Sequence, residues 1–383
     1  MRRIKVAEIV EATTGGIWEH LRQILTFVDR SRFDLTVICS VRRDRNVELR
    51  LEDFCSAGIP VVRVPMTRAI RPWHDLRCCR RIAWELRVQH FDVVHTHGSK
   101  GGIIGRLAAH RTGGAHVIHT GHTFPTQWAQ GLKKSFYAAL ERRAARWTDR
   151  IIALSDSQKR LLLDGRICPV EKITVLPNAI NVDAVAGPNR RSGARERLGL
   201  PPDAPIVGMV GRIVEQKEPT LFVQTARIIR QALPDARFVW IGDGPLREKM
   251  EAAARDAGLL GRNLVTTGCR EDARELYAAF DVFLMTTAWE GMPYAVLEAM
   301  AASLPVVAVN VPGMNEIVED GATGRLAEAD ASALAAEVVG LLANADVRNA
   351  YGEAGRRRVA GNYSVKGFIE QLEKLYATGN KGA

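Results

Sequence analysis

At 383 residues the chain exceeds one ordinary hydrophobic core, and two α/β domains are expected. Its 46% hydrophobic and 25% charged residues are usual for a soluble globular protein, and no run reaches the roughly 18–20 apolar residues of a membrane-spanning helix. The net charge of +10 is uneven, about +12 within residues 1–185 and about −2 beyond, which suggests an anionic partner met by the first half alone. Nucleic acid would suit that charge, but no binding module is recognisable, and a membrane surface or a phosphate-linked acceptor fits equally well.

The opening Met1-Arg2-Arg3-Ile4-Lys5-Val6 is basic but leads into a strand, with no apolar signal core or cleavage site; a cytoplasmic location is expected. Cys39, Cys55, Cys78, Cys79, Cys168 and Cys269 form no CxxC pair, against disulfides and structural zinc. Residues 4–10 predict a β-branched strand, followed by the loop Thr13-Thr14-Gly15-Gly16 and a helix from Ile17 to Val28. Further strands are predicted at about 33–39, 59–64, 91–95, 115–119, 150–154 and 173–176. A polar, Pro-, Gly- and Arg-rich segment, 184–203, reads as a linker between domains at 1–183 and 204–363. The second series has strands at 206–210 and near 237–241, 264–266, 281–285 and 305–309, and residues 331–377 are helical by pattern. Apolar strands alternating with helices imply two doubly wound parallel sheets facing a central cleft, with ligands at the carboxyl ends of the strands.

The densest motif is Trp289-Glu290-Gly291-Met292-Pro293-Tyr294-Ala295-Val296-Leu297-Glu298-Ala299-Met300. An apolar strand precedes it, proline marks the start of a helix, and two glutamates stand eight residues apart. Free N–H groups at such a helix start favour a diphosphate; Glu290 is placed to accept from sugar hydroxyls and Glu298 from a ribose diol. Two acids also suit a helix dipole without any ligand. Gly15 and Gly16 let backbone approach a phosphate, but the loop is not the GxGxxG of a dinucleotide fold and NAD is not favoured. Arg212 and Lys217, at the end of the first strand of the second series, can neutralise a leaving diphosphate; cations at a helix start otherwise oppose its dipole.

Histidines close two more strands, in His95-Thr96-His97 and His119-Thr120-Gly121-His122. Alternating His95 and His97 would suit a metal, but no carboxylate or thiolate is spaced with them to complete a shell, and no metal is expected. His122 is best placed to bond a sugar hydroxyl, whereas His95, His116 and His119 are expected to be satisfied by backbone.

Together these segments, with Ala153-Leu-Ser-Asp-Ser157, Ile173-Thr-Val-Leu-Pro-Asn178 and Trp240-Ile-Gly-Asp-Gly-Pro245, resemble the family 4 glycosyltransferases along nearly the whole chain. The resemblance implies the GT-B fold, two Rossmann-like domains with the donor mainly on the second and the acceptor on the first. It also implies a C-terminal helix, assigned to 364–383, that crosses back onto the first domain. It assigns the diphosphate to Arg212 and Lys217 with Gly15 and Gly16, the ribose to Glu298, and the sugar to Glu290 and His122. Gly291, Met292, Pro293 and Tyr294 would line the pocket and Arg270 would frame the base. Members more often carry Gly after the lysine, where this chain has Glu218. A retaining, metal-independent transfer without cofactor is implied, from a UDP- or GDP-sugar, UDP favoured, to a glycan acceptor.

Arg68, Arg71, Arg77, Arg80, Arg81 and Arg87 are interleaved with Trp73 and Trp84. Residues 131–147 set Leu132, Phe136, Leu140 and Trp147 near one helical face, with Lys133, Lys134, Arg142 and Arg146 elsewhere. Such segments suit an anionic membrane interface and hence a polyprenyl-diphosphate-linked glycan on the cytoplasmic face; a core-facing helix with a basic solvated side is the competing reading. Other GT-B enzymes (a sugar-nucleotide epimerase or a glycan phosphorylase) and a two-lobed solute-binding protein are the alternatives. The last would need an export signal and no phosphate-directed cations.

Overall fold

The structure, a computed structural model, describes residues 2–42, 47–185 and 187–378. The chain divides into two compact units, Met1–Asn178 with Val365–Ala383, and Ala179–Ser364.

The first unit alternates strand and helix: β1 (Ile4–Val10), α1 (Gly15–Phe27), β2 (Phe33–Cys39), α2 (Val47–Ser56), β3 (Val61–Arg63), α3 (Pro72–Gln89) and β4 (Val93–His97). Then come α4 (Ser99–Thr112), β5 (His116–Thr120), α5 (Gly131–Ala145), β6 (Arg150–Ala153), α6 (Asp156–Asp164) and β7 (Ile173–Val175). The seven strands stand in the order β3-β2-β1-β4-β5-β6-β7. All their pairings are parallel. Parallel strands carry helices on both faces, which is why β1 and β4 are buried along nearly their whole length.

In the second unit α7 (Arg191–Arg197) precedes β8 (Ile206–Val210), α8 (Pro219–Ala232), β9 (Arg237–Ile241), α9 (Arg247–Asp256), β10 (Leu264–Gly268), α10 (Ala273–Leu276) and β11 (Val282–Met285). It continues with α11 (Tyr294–Ala301), β12 (Val306–Val309), α12 (Met314–Ile317), β13 (Gly324–Ala327), α13 (Ala331–Ala343) and α14 (Ala345–Asn362). These strands also run parallel, in the order β10-β9-β8-β11-β12-β13. Strand order reverses between β1 and β4 in one sheet and between β8 and β11 in the other, and a ligand crevice opens at such a reversal.

The segment read as a linker contains α7, whose Arg195 is buried and donates to Asp281 at 2.9 Å and to the Ala279 carbonyl at 3.1 Å. Asp281 also accepts from the Ile206 N–H at 2.8 Å, so this buried ion pair anchors the start of β8 to that of β11. The helical stretch after β13 breaks at Asn344, which caps α14 by accepting from the Val347 N–H at 3.1 Å, and again before α15 (Val365–Ala377).

Helix α15 belongs with the first unit. Glu373 pairs with Arg32 at 2.9 Å and accepts from the Asp29 N–H at 2.8 Å. Tyr376 is fully buried, and its hydroxyl donates to Glu8 Oε1, in the middle of β1, at 2.6 Å. Burial alone would raise the Glu8 carboxyl, but the charges and hydrogen bonds of His95 and His97 outweigh it and hold the group below the usual carboxylate range. Glu8 is therefore a buried carboxylate, which depends on its donors. Replacing Tyr376 by Phe removes one of them and should destabilise the first unit by about 1–3 kcal/mol. A lowered urea midpoint at unchanged m-value would show this.

Candidate functional site: two strand-end clusters

In the second unit, the loops after β8 and β11 meet. Lys217 Nζ lies 2.5 Å from Glu290 Oε1, with their side chains 13% and 7% exposed. Thr287 Oγ1 also donates to that oxygen, at 2.9 Å, so the carboxylate has a cationic and a neutral donor. Backbone pins the loops together: the Ala288 N–H donates to the Gln216 carbonyl at 2.9 Å, and Gln216 Nε2 to the Trp289 carbonyl at 2.7 Å. Thr286 Oγ1 donates to the Lys217 carbonyl at 2.9 Å. Two charged residues far apart in sequence are thus held by their own backbone neighbours.

Arg212 is exposed at the end of β8, just after Gly211. The Gly211 carbonyl accepts from Trp240 Nε1 at 2.9 Å and lies 2.0 Å from where a Cβ on Gly242 would stand. Only glycine fits at Gly242, which lets the β9 loop buttress the one bearing Arg212. Gly291, Met292, Pro293 and Tyr294 are buried, with Pro293 capping the start of α11. A Cβ on Gly313 would lie 2.4 Å from the Gly291 carbonyl, so this turn is clamped as well. Glu298, one turn into α11, accepts from Arg274 Nε at 2.9 Å and from the Tyr277 hydroxyl at 3.1 Å. Burial, reinforced by Glu298, raises Tyr277 well above the ordinary phenol value, so it remains a donor. Arg270 forks onto Asp272, 2.7 Å for both contacts.

Glu218, where the resemblance leads to an expectation of glycine, stands at φ 47 and ψ 58 in the N-cap position of α8, ahead of Pro219. That left-handed conformation explains the glycine, and Glu218 does not displace Lys217 from Glu290.

The first unit gathers imidazoles at its own strand reversal. Thr14 caps α1, Gly15 takes φ 60 and Gly16 continues the first turn. His97 Nε2 lies 2.7 Å from Glu8 Oε2, and His95 bridges the Tyr376 hydroxyl at 2.7 Å and Thr120 Oγ1 at 2.8 Å. His122, at φ 57, places Nε2 3.4 Å from His97 Nδ1, while Gln158 Nε2 donates to its carbonyl at 2.8 Å. His20 joins from α1, its Nδ1 3.1 Å from Asn178 Oδ1. Two expectations need correction. A carboxylate does accompany His95 and His97, because Glu8 on β1 pairs in register with His95 on β4. His95 is satisfied by side chains, not backbone. His119 does reach a backbone carbonyl, that of Thr96 at 3.1 Å, and His116 faces the Asp149 carboxylate at 3.5 Å.

Thr287, Arg274, Tyr277, Glu8, His20 and Asn178 were not singled out from sequence. Glu8 within the apolar run of β1 and His20 on the apolar face of α1 were legible signals. Arg274 and Tyr277 sit on a short turn whose relation to Glu298 is set only by tertiary packing.

Residues 14–184 match the family model described as Glycosyltransferase Family 4, and residues 204–344 that described as Glycosyl transferases group 1. An alpha-maltose-1-phosphate synthase of Mycolicibacterium smegmatis is 30% identical over 74% of this chain and 78% of its own length. The chain belongs to glycosyltransferase family 4. Another family 4 relative, 28% identical over 98% of this chain and 97% of its own, is a UDP-Gal:alpha-D-GlcNAc-diphosphoundecaprenol alpha-1,3-galactosyltransferase of Escherichia coli. Anabaena HepE, solved with UDP and glucose, superposes with a TM-score of 0.84 over 98% of this chain and 100% of its own at 18% identity. The fold of this family 4 glycosyltransferase is thus GT-B.

Two stability predictions follow from the backbone and the imidazoles. Glu218→Gly relieves the left-handed residue and should raise the stability of the second unit by about 0.5–1 kcal/mol, read as a higher urea midpoint. Burial lowers His20, His97, His119 and His122, His97 to about 4. The unfolded chain binds protons at these sites below about 6.5, where the folded one does not. Stability of the first unit is therefore full above about pH 6.5 and falls as the pH drops toward 4. Denaturation midpoints at pH 8 and 5 should show the loss; equal midpoints would contradict it.

Proposed function

We propose that this family 4 enzyme is a retaining transferase that moves a hexose or N-acetylhexosamine from a UDP-sugar to a polyprenyl-diphosphate-linked glycan in surface polysaccharide synthesis. The observation that carries this reading is the Lys217–Glu290 pair at the β8 and β11 strand ends. It sets a cation for phosphate beside a carboxylate for sugar hydroxyls, with Arg212 on the same strand-end loop as Lys217.

In the proposed reaction, the bond from the anomeric carbon to the β-phosphate oxygen breaks and a bond to the acceptor oxygen forms on the same face. The departing phosphate takes the acceptor's proton, so no protein base or nucleophile is required. Arg212 and Lys217 neutralise the charge that develops on the diphosphate, the part that a metal plays elsewhere, and no divalent ion is proposed there. Glu290 accepts from the sugar hydroxyls and Glu298 from the ribose. Gly291 to Tyr294 line the pocket and Arg270 frames the base. In this reading Arg274 and Tyr277 orient Glu298, and Thr287 orients Glu290.

The lipid-linked acceptor is supported by the name of the Escherichia coli relative and by the surface of the first unit. Trp73 on α3 is 81% exposed, and Leu132 and Phe136 on α5 are 91% and 55% exposed beside Lys133 and Lys134. Helix α3 buries Cys78, Cys79, Ile82 and Leu86, so its Trp73 and Trp84 lie outside that core. We take these segments to dock on an anionic cytoplasmic membrane face. No described helix is long and apolar enough to cross a membrane.

Arg212→Ala and Lys217→Ala should each lower turnover by ~10²-fold or more, the scale of a lost charge-stabilising donor, in a radiolabelled UDP-sugar transfer assay. Near-wild-type turnover in both variants would sink the assignment. Flotation with anionic liposomes at low salt tests the docking surface, and protein remaining at the bottom of the gradient counts against it.

A further inference from the structure

Helix α3 turns one face to the core and an unlike face to solvent. Cys78, Cys79, Ile82 and Leu86 pack inward. Trp73, Arg77, Arg80, Arg81, Trp84 and Arg87 are exposed, and steps of three and four residues set them along one stripe. We propose that Arg77 and Arg80 bind the diphosphate of the polyprenyl carrier, with Trp73 and Trp84 seated at the membrane interface on either side. The inference rests on the lipid-linked acceptor proposed above and names the residues that read its head group.

The two arginines are uncommitted. Neither pairs with a carboxylate among the described residues. Arg81, by contrast, pairs with Glu85 at 2.7 Å, and its guanidinium lies 4.7 Å from the centroid of the Trp84 ring, which orients that indole. Like charges one turn apart repel, so Arg77 and Arg80 oppose each other until an anion lies against both. A diphosphate that links a lipid to a glycan carries one negative charge on each phosphate. Helical residues three apart stand about 5–6 Å apart at Cβ, so each guanidinium can fork one phosphate of the same group.

The choice of cation separates this site from general attraction to a charged surface. Between residues 61 and 99 there are seven arginines and no lysine, whereas α5 carries Lys133 and Lys134. Attraction to anionic lipid needs only charge and takes either residue. Bidentate recognition of phosphate needs the planar fork of arginine. Indole rings favour the headgroup level of a bilayer, the depth at which a polyprenyl diphosphate holds its phosphates.

Contacts at the first turn of α3 place the stripe beside the crevice. The helix follows β3 and so begins at the carboxyl end of the sheet. Lys100, in the first turn of α4 after β4, donates to the Ala69 carbonyl at 3.0 Å and pairs with Asp75 of α3. Asp75 also accepts from the Arg71 N–H at 3.0 Å, which closes the turn ahead of the helix. A carrier held at Arg77 and Arg80 thus keeps its glycan on the side of the β4 strand end, where the strand order reverses.

The test is flotation of the full chain with phosphatidylcholine vesicles that carry undecaprenyl diphosphate, beside vesicles of equal charge made with phosphatidylglycerol. The expected result is binding at least about 10-fold tighter to the diphosphate vesicles, the scale of one charge-assisted hydrogen bond. Arg77→Lys combined with Arg80→Lys keeps the charge and removes the forks. It should abolish that preference while binding to phosphatidylglycerol persists and far-UV circular dichroism shows the fold intact; Arg80→Lys alone serves if the double variant does not fold. A preference undiminished in the folded variant would overturn the proposal. Equal wild-type binding to both vesicles overturns this assignment and leaves membrane docking standing, whereas no flotation with either removes both.

Discussion

Everything at the second unit's strand ends depends on the ion pair between Lys217 and Glu290. Both side chains are largely withdrawn from water, and a charge so placed is tolerated only when paired and hydrogen-bonded. The pair fixes the loop after β8 against the loop after β11, and the threonines and Gln216 extend that contact along the backbone. In the proposed reaction this amounts to preorganisation: the cation assigned to phosphate and the acceptor assigned to sugar hydroxyls are held in place before binding, so reorganisation is small. Glycines at Gly242 and Gly313 serve the same end, because each lets a neighbouring loop approach to a distance that a Cβ would forbid.

The first unit meets the same constraint with imidazole rings and a phenol hydroxyl. Glu8 lies in the middle of a buried strand, and its oxygens are bonded by Tyr376 and His97. The C-terminal helix is therefore part of the first unit's interior chemistry, since it delivers Tyr376 to a carboxylate 368 residues earlier. From Glu8 the contacts run through His97 to His122 and His20, so the orientation of each ring depends on the next.

Much of this was legible in the sequence because most strands are apolar runs, and β4, β5 and β8 to β11 stop at or just before a glycine, histidine or threonine. All seven strands of the first sheet fall within a few residues of their expected places. β13 was missed because Gly324-Arg325-Leu326-Ala327 is four residues long and only half apolar; its pairing with β12 makes it a strand. Helix α7 was hidden by a polar, Gly-containing segment and is held by the buried Arg195–Asp281 pair, a tertiary interaction. The acids and cations of the second unit could be named from the Glu290–Glu298 spacing and from the ends of strands. Their companions could not, because Thr287, Arg274 and Tyr277 act through side-chain contacts that no local pattern encodes. Glu8 was visible as a charge in an apolar run, but its partners come from β4 and α15.

Thermal unfolding with UDP, GDP, ADP and NAD in parallel tests the central claim, a preformed nucleotide-sugar site, most directly. A ligand at 100 times its Kd adds about 2.7 kcal/mol, enough to raise the midpoint by a few degrees. The account predicts a rise with UDP and none with NAD. No rise with any of the four nucleotides would contradict it.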